Sequence, residues 1–289
     1  MSIEIKHYIG KRICKEFYDI VEFLKMHAAK GYNKNWHWAR WEWLLGHTSL
    51  NESTLPSIGL FLDGGEIVGL VTHDMRDPAY IILNPKYNYI KPQMVDYAFT
   101  ELSSNGVSSL YVAENDKELI SVVKEKGYTP TTYDEVVSVL ACAEQLSYKL
   151  DNKFSVTDYY SAKNIDKYVE VIHKGFENEG EPAKLTEADL PERPHYNPKL
   201  AVFIVAPNGD YAAHCGTWYN PDTEICYVEP VVTIPEYRKC GLGKAIVYES
   251  INRCIDLGAK KAIVISDQQF YYRIGFEKYS MCQLWEKKV

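Results

Sequence analysis

No stretch of the 289 residues approaches the ~20 consecutive apolar positions that cross a bilayer, and the N-terminal MSIEIKHYIGKRICKEF holds no apolar run of leader type. A membrane partner is not expected, and a cytoplasmic location is. Positive charge is in deficit as well: 32 Lys and Arg stand against 39 Asp and Glu, a net charge of −7. That balance argues against a nucleic-acid surface spread over the whole protein and points to a small partner. The seven cysteines (Cys14, Cys142, Cys215, Cys226, Cys240, Cys254 and Cys282) form no C-x-x-C pair and are odd in number. Neither a disulfide framework nor a metal site is expected, and the thiols should be reduced. Apolar residues are not scarce. They make up 46% of a chain near two average domains in length, enough for ordinary packed cores.

What the sequence does hold is a glycine-rich turn between a strand and a helix, VEPVVTIPEYRKCGLGKA at Val228 to Ala245. The strand half is β-branched (Val228, Val231, Val232, Thr233, Ile234), and Pro230 in its middle can donate no ladder hydrogen bond, so a bulge or splay is predicted there. Arg238, Gly241 and Gly243 follow at R-x-x-G-x-G spacing. A helix is predicted from about Leu242, with Ile246, Val247, Ile251 and Cys254 at helical intervals. The first NH groups of a helix have no intrahelical partner, the helix dipole adds positive charge, and glycine lets backbone approach an anion closely. Arg238, Lys239 and Lys244 add full charges. A Walker A loop would need glycine at Arg238 and Ser or Thr at Ala245, and a dinucleotide fingerprint would need glycine at Ile246, so neither nucleotide loop fits.

RKCGLG at Arg238 to Gly243, preceded by Pro235 and Tyr237, resembles the Q/R-x-x-G-x-G/A signature of the GNAT superfamily of N-acetyltransferases. FYYRIGF at Phe270 to Phe276 is similar to the F-Y-x-x-x-G-F segment with which that family commonly ends its core. The resemblance implies a mixed α/β (α+β) fold, a mostly antiparallel twisted sheet flanked by helices with a splayed central strand. It also implies acetyl-CoA as co-substrate, no metal, and direct transfer to an amine. Backbone groups of Val231, Val232 and Thr233 would meet the thioester and pantetheine. The pyrophosphate would lie on Lys239, Cys240, Gly241, Leu242, Gly243 and Lys244, with Arg238 adding charge. Cys240 lies inside that loop and is read as incidental to the chemistry. Glu229, on the strand just before its break, is the candidate general base; its ordinary alternative is a strand-end carboxylate. Tyr271 is the candidate general acid for the departing thiolate, its alternative being packing. Asp267, after the strand KAIVIS, is a reserve base and cofactor contact where the family more often has Asn.

The order of elements recurs. Ile82, Pro85 and Tyr87 match Val232, Pro235 and Tyr237 at a constant offset, and Gly127-Tyr128 matches Gly275-Phe276, so two copies of one fold are predicted, residues 1–148 and 149–289. This layout is similar to other tandem GNAT proteins. Opposite Arg238, Gly241 and Gly243 the first copy has Asn88, Lys91 and Gln93, with Ala79 opposite Glu229. The first copy is therefore expected to be degenerate and the second catalytic. In the first, residues 12–30 read as a helix, and Trp36, Trp38, Trp41 and Trp43 as core indoles rather than a ligand platform. In the second, the stretch from Glu177 to Pro198 holds Glu177, Glu179, Glu181, Glu187, Asp189 and Glu192. It reads as a solvated loop with a short helix capped by Thr186 and Asp189, and it tilts expectation toward a cationic small-molecule amine as acceptor. Acetylation of a protein or peptide amine and a non-catalytic acyl-CoA-binding module are the other readings. No signal for an oligomeric state is present.

Overall fold

The helix predicted over residues 12–30 forms as α1 (Lys15–Ala29) and the tryptophan-rich stretch as α2 (Trp38–Leu45), where the His37 ring accepts from the Ala39 amide. Trp36, Trp38 and Trp41 are at most 2% exposed, so these indoles are core. The computed structural model describes residues 3–32, 34–75 and 77–289. By compactness the chain falls into two units. One comprises Met1–Ser138, Ile265–Gln268 and Lys278–Val289, the other Val139–Val264 and Gln269–Glu277.

In the first unit β1 (Glu4–His7), β2 (Gly59–Asp63), β3 (Glu66–His73) and β4 (Ala79–Leu83) are antiparallel neighbours in that order. Gly64 and Gly65, with φ of 60° and 90°, supply the tight turn that joins β2 to β3. The crossover helix α3 (Lys91–Leu102) leads from β4 to the parallel strand β5 (Val107–Ala113). Its buried stripe of Met94, Val95, Ala98 and Leu102 packs with Val68, Val71, Leu110 and Val112. After α4 (Lys117–Glu125), β6 (Thr129–Ala141) runs from this unit into the second. The strand that borders β5 comes from far along the sequence: β12 (Glu277–Lys288) pairs antiparallel with it, Cys282 opposite Ala113 and Lys288 opposite Val107.

The second unit repeats the plan. Here β7 (Ser155–Asp158), β8 (Ala201–Val205), β9 (Tyr211–Asn220) and β10 (Ile225–Thr233) are antiparallel in order. Between β7 and β8 come the short helix α5 (Tyr159–Ala162) and α6 (Ile165–Gly175). The crossover helix α7 (Leu242–Asp256) leads from β10 to the parallel strand β11 (Lys261–Ile265), and α8 (Gln269–Arg273) follows. Alternation along the strands divides the side chains: Phe203, Tyr211 and Val232 pack with α6, whereas Cys215, Cys226 and Val228 pack with Ile246, Val247, Ile251 and Cys254 of α7. No helix among the described residues is long and apolar enough to cross a membrane.

Candidate active site

The predicted break in the central strand is present. β10 pairs with β11 only from Ile225 to Tyr227, and its register against β9 shifts between Val228 and Val231, where the Glu229–Pro230 peptide is cis. Past that point β10 stays paired with β9 through Val231, Val232 and Thr233, so alternate backbone groups of these residues face away from β9. Gly216 on β9 makes room for the bulge. A Cβ there would stand 2.6 Å from the Glu229 carbonyl oxygen and 2.9 Å from Pro230 Cδ. From the other direction Trp218 Nε1 donates to the same carbonyl at 3.2 Å. Gly216→Val should cost about 1–3 kcal/mol because the clash is with backbone; urea denaturation that showed no loss would mean that the bulge has slack.

The chain leaves β10 through one 3₁₀ turn at Pro235–Tyr237 and enters α7 with Lys239 at φ 64° and Gly241 at φ 79°. Gly241 is the N-cap and carries no side chain that could bond the first helical amides, and Ala245 N already reaches back to Gly241 O. The amides of Leu242, Gly243 and Lys244 are thus left directed out of the helix. Gly243 meets a different constraint. A Cβ on it would stand 3.1 and 3.2 Å from the Phe270 ring, so the glycine turn and the FYYRIGF segment pack directly on one another. Beside the turn is a groove of about 390 Å³ lined by Gly241, Lys244, Ala245, Ser147, Tyr148 and Lys149. Lys239, Cys240 and Lys244 are exposed.

Tyr271 is buried in the α7-side core, 7% exposed, with its ring edge-on to Phe270 and Phe276. Burial pushes the phenol well above its ordinary range, and the nearby Cys215 and Glu229 add to the rise. Glu229 is half-buried, and its charge is also felt by the Cys215 thiol, which burial pushes up to about 12. Glu229 and Tyr271 thus lie within one electrostatic neighbourhood. His214 on the opposite face is held down to about 4 by burial and bonds the Val202 carbonyl through Nδ1 at 2.9 Å, so it is a neutral core residue.

Arg238 is oriented differently from a simple anion ligand. Its Nη1 donates to both Glu177 carboxylate oxygens (3.2 and 3.1 Å), Nη2 to the Gly175 carbonyl at 3.1 Å, and Nε to the Thr233 carbonyl at 3.0 Å. The side chain ties the end of α6 to the end of β10. Gly175 permits the approach, since a Cβ there would lie 2.4 Å from Val232 Cβ. Other acids of the 177–198 stretch are also engaged: Glu187 accepts from the Tyr159 phenol, and Asp189 forms the capping box with Thr186. Asp267 is exposed and falls in the Ile265–Gln268 segment that groups with the first unit. Gly216, Trp218 and Lys149 were not read as site residues in the sequence, and only strand register or the path of residues 147–149 brings them to these positions.

The corresponding place in the first unit has a different chemistry. β4 and β5 also pair briefly, at Ala79–Leu110 and Tyr80–Tyr111. The cleft beside them, about 490 Å³, is lined by Tyr80, Tyr111, Asn88, Lys91, Asp116 and Glu118 among others. Lys91, at the first turn of α3, is buried and donates to Asp116 at 2.6 Å and Glu118 at 3.2 Å. Where the second unit has Gly241, the first therefore has a lysine whose charge is already met by two carboxylates.

Compared with known proteins, residues 167–276 match the model of the acetyltransferase (GNAT) family. Among solved structures the chain is similar to a tandem GNAT protein from the clavulanic acid biosynthesis pathway, with TM-score 0.60 and 11% identity over 99% of this chain and 98% of that one. It is likewise similar to a GCN5-related N-acetyltransferase from Sphaerobacter thermophilus, with TM-score 0.59 and 12% identity over 99% and 95% of the two chains. A third, from Kribbella flavida, gives TM-score 0.51 and 18% identity over 76% of this chain and 85% of that one. At these identities the likeness is one of fold. A comparison with curated proteins gave no match.

Proposed function

Starting from a chain whose residues 167–276 match the model of the GNAT acetyltransferase family and whose fold is similar to that of a tandem GNAT protein, we propose that the second unit moves an acetyl group directly from acetyl-CoA to the primary amine of a small-molecule acceptor. The observation that carries this reading is the packing of Gly243 against Phe270. It joins the anion-ready turn to the helix bearing Tyr271, beside a strand broken at Glu229.

The chain's residues divide the work as follows. Outward amides at Leu242, Gly243 and Lys244, with the Lys239 and Lys244 charges, suit a diphosphate. Lys149 extends this basic edge along the groove. Backbone groups of Val231 to Thr233 that face away from β9 suit the thioester carbonyl and the amides of the pantetheine arm. Glu229 takes the proton of the ammonium, the neutral amine nitrogen bonds to the carbonyl carbon as the carbon–sulfur bond breaks, and Tyr271 gives its proton to the departing thiolate. The second proton, shed by the new amide nitrogen, returns the phenolate to its neutral form, while Glu229 releases its own to solvent. Arg238 holds the α6 end against β10. The Lys91–Asp116–Glu118 cluster makes the first unit unsuited to a diphosphate, which supports a single catalytic unit.

Thermal unfolding with acetyl-CoA at ~100 times its dissociation constant should show about 2.7 kcal/mol of stabilisation. Gly243→Asp, compared with its own ligand-free baseline, should show none, because the carboxylate repels the diphosphate. Absence of any shift in the natural protein would overturn the proposal.

A further inference from the structure

On the α6-facing side of the second unit, Trp218 stands against Glu229 through its Nε1–H bond to the Glu229 carbonyl (3.2 Å). The Tyr196 ring lies 5.7 Å from the Trp218 ring, and the Arg193 guanidinium carbon lies 3.9 Å from the Tyr196 ring centre. Flat groups thus lead in a row from the backbone of residue 229 to a half-buried cation. Stacking on Tyr196, whose phenol oxygen also accepts from the guanidinium, fixes the plane of the guanidinium and leaves the rest of its NH fork available.

Arg193 has no carboxylate partner among the described residues, which sets it apart from Arg238, paired with Glu177, and Arg253, paired with Asp158 and Glu249. The acids near it in sequence do not supply one. Glu187, whose charge also reaches Tyr196, accepts from Tyr159, and Asp189 accepts from Thr186. The negative charge that made the 177–198 stretch look cation-seeking is therefore partly spent on the chain itself, and the group presented beside Tyr196 is positive.

We propose that Arg193 binds a carboxylate of the acceptor, so that the acetylated amine belongs to an amino acid or a related amino carboxylate rather than to a polycation. This rests on the amine-transfer reading of the same unit. A planar carboxylate matches the guanidinium fork with two parallel bonds. The Tyr196–Trp218 surface between Arg193 and Glu229 suits the intervening carbon skeleton.

The test uses amines that differ only by a carboxylate, phenylalanine against phenethylamine and lysine against cadaverine, with spermidine as the polycation. Turnover is followed by release of coenzyme A thiol. The carboxylated member should have the higher kcat/KM, mainly through KM, by about tenfold or more. Arg193→Gln should remove that preference and Arg193→Lys should restore part of it. Equal use of both members, preference for spermidine, or a preference unchanged in Arg193→Gln would overturn the assignment. If no amine is acetylated, the same pairs are compared by thermal stabilisation in the presence of coenzyme A. Greater stabilisation by phenylalanine that vanishes in Arg193→Gln would keep the carboxylate site while the transfer reading fell, and no difference within the pair would overturn the site.

Discussion

Tyr271→Phe should lower kcat by about 10²–10⁴, the usual worth of a positioned proton donor, while leaving the unfolding temperature close to that of the parent. The two outcomes separate because the ring and the hydroxyl have different jobs. The ring packs edge-on to Phe270 and Phe276 at 5.0 and 5.5 Å between centroids, and phenylalanine would keep those contacts. The hydroxyl makes no hydrogen bond to the protein among the described residues, so its loss leaves no partner stranded. The pH dependence carries a sign. Burial, then Cys215 and Glu229, disfavour the phenolate and raise the pKa of Tyr271 above the usual value. The protonated form therefore persists through pH 10, where a free tyrosine would be half ionised. In the natural protein kcat should show no descending limb below pH 10. A limb at pH 8 or 9 would assign the proton to another group, and a Phe variant as active as the parent would leave Tyr271 a packing residue.

The largest loss of stability is expected in the first unit, from Arg40→Ala. Arg40 is buried between the Trp36 and Tyr80 rings, 4.5 and 4.6 Å from their centroids. It donates to both oxygens of Glu135 (3.0 and 2.8 Å), to Asp74 at 2.7 Å and to the Asn35 carbonyl, and Tyr80 closes the ring by donating to Glu135 at 2.7 Å. The Glu135 side chain is 10% exposed and that of Asp74 27%. Removing the cation alone leaves Glu135 buried and uncompensated, at a cost of about 3–5 kcal/mol. For a unit of this size the transition should move down by roughly 10 °C. Replacing both partners, Arg40→Met with Glu135→Leu, should recover most of that, since the remaining acid, Asp74, reaches solvent. If the double variant proved less stable than Arg40→Ala in thermal circular dichroism, the electrostatic account would be wrong.

Local devices were legible in the sequence. RKCGLG and FYYRIGF are short, and their geometry depends on glycines at Gly241 and Gly243 whose roles can be argued without knowing what lies across from them. α7 begins at Leu242, where the helical spacing put it. The strand break at Pro230 follows from a missing NH. Nonlocal matters were not legible. Gly216 and Trp218 face Glu229 only because of the register between β9 and β10. Lys149 reaches the α7 turn because residues 147–149 run past it. Arg238 looked like an anion ligand because its spacing is that of the motif, but Glu177, Gly175 and Thr233 compete for its donors. Acid count in the 177–198 stretch likewise does not show which carboxylates are already bonded, and Glu177, Glu187 and Asp189 have partners within the chain.

The pairing of β12 with β5 has a consequence for the order in which the protein can be built. Ala113 meets its neighbour Cys282 only after the whole second unit has been translated. At about 5–20 residues per second, the ribosome needs roughly 10–30 s to cover that interval. During that time the sheet of the first unit lacks a strand and β5 presents an open edge, the kind of surface on which chains aggregate or exchange strands. Synthesis of the two units is sequential, but completion is not: the unit begun first is finished last.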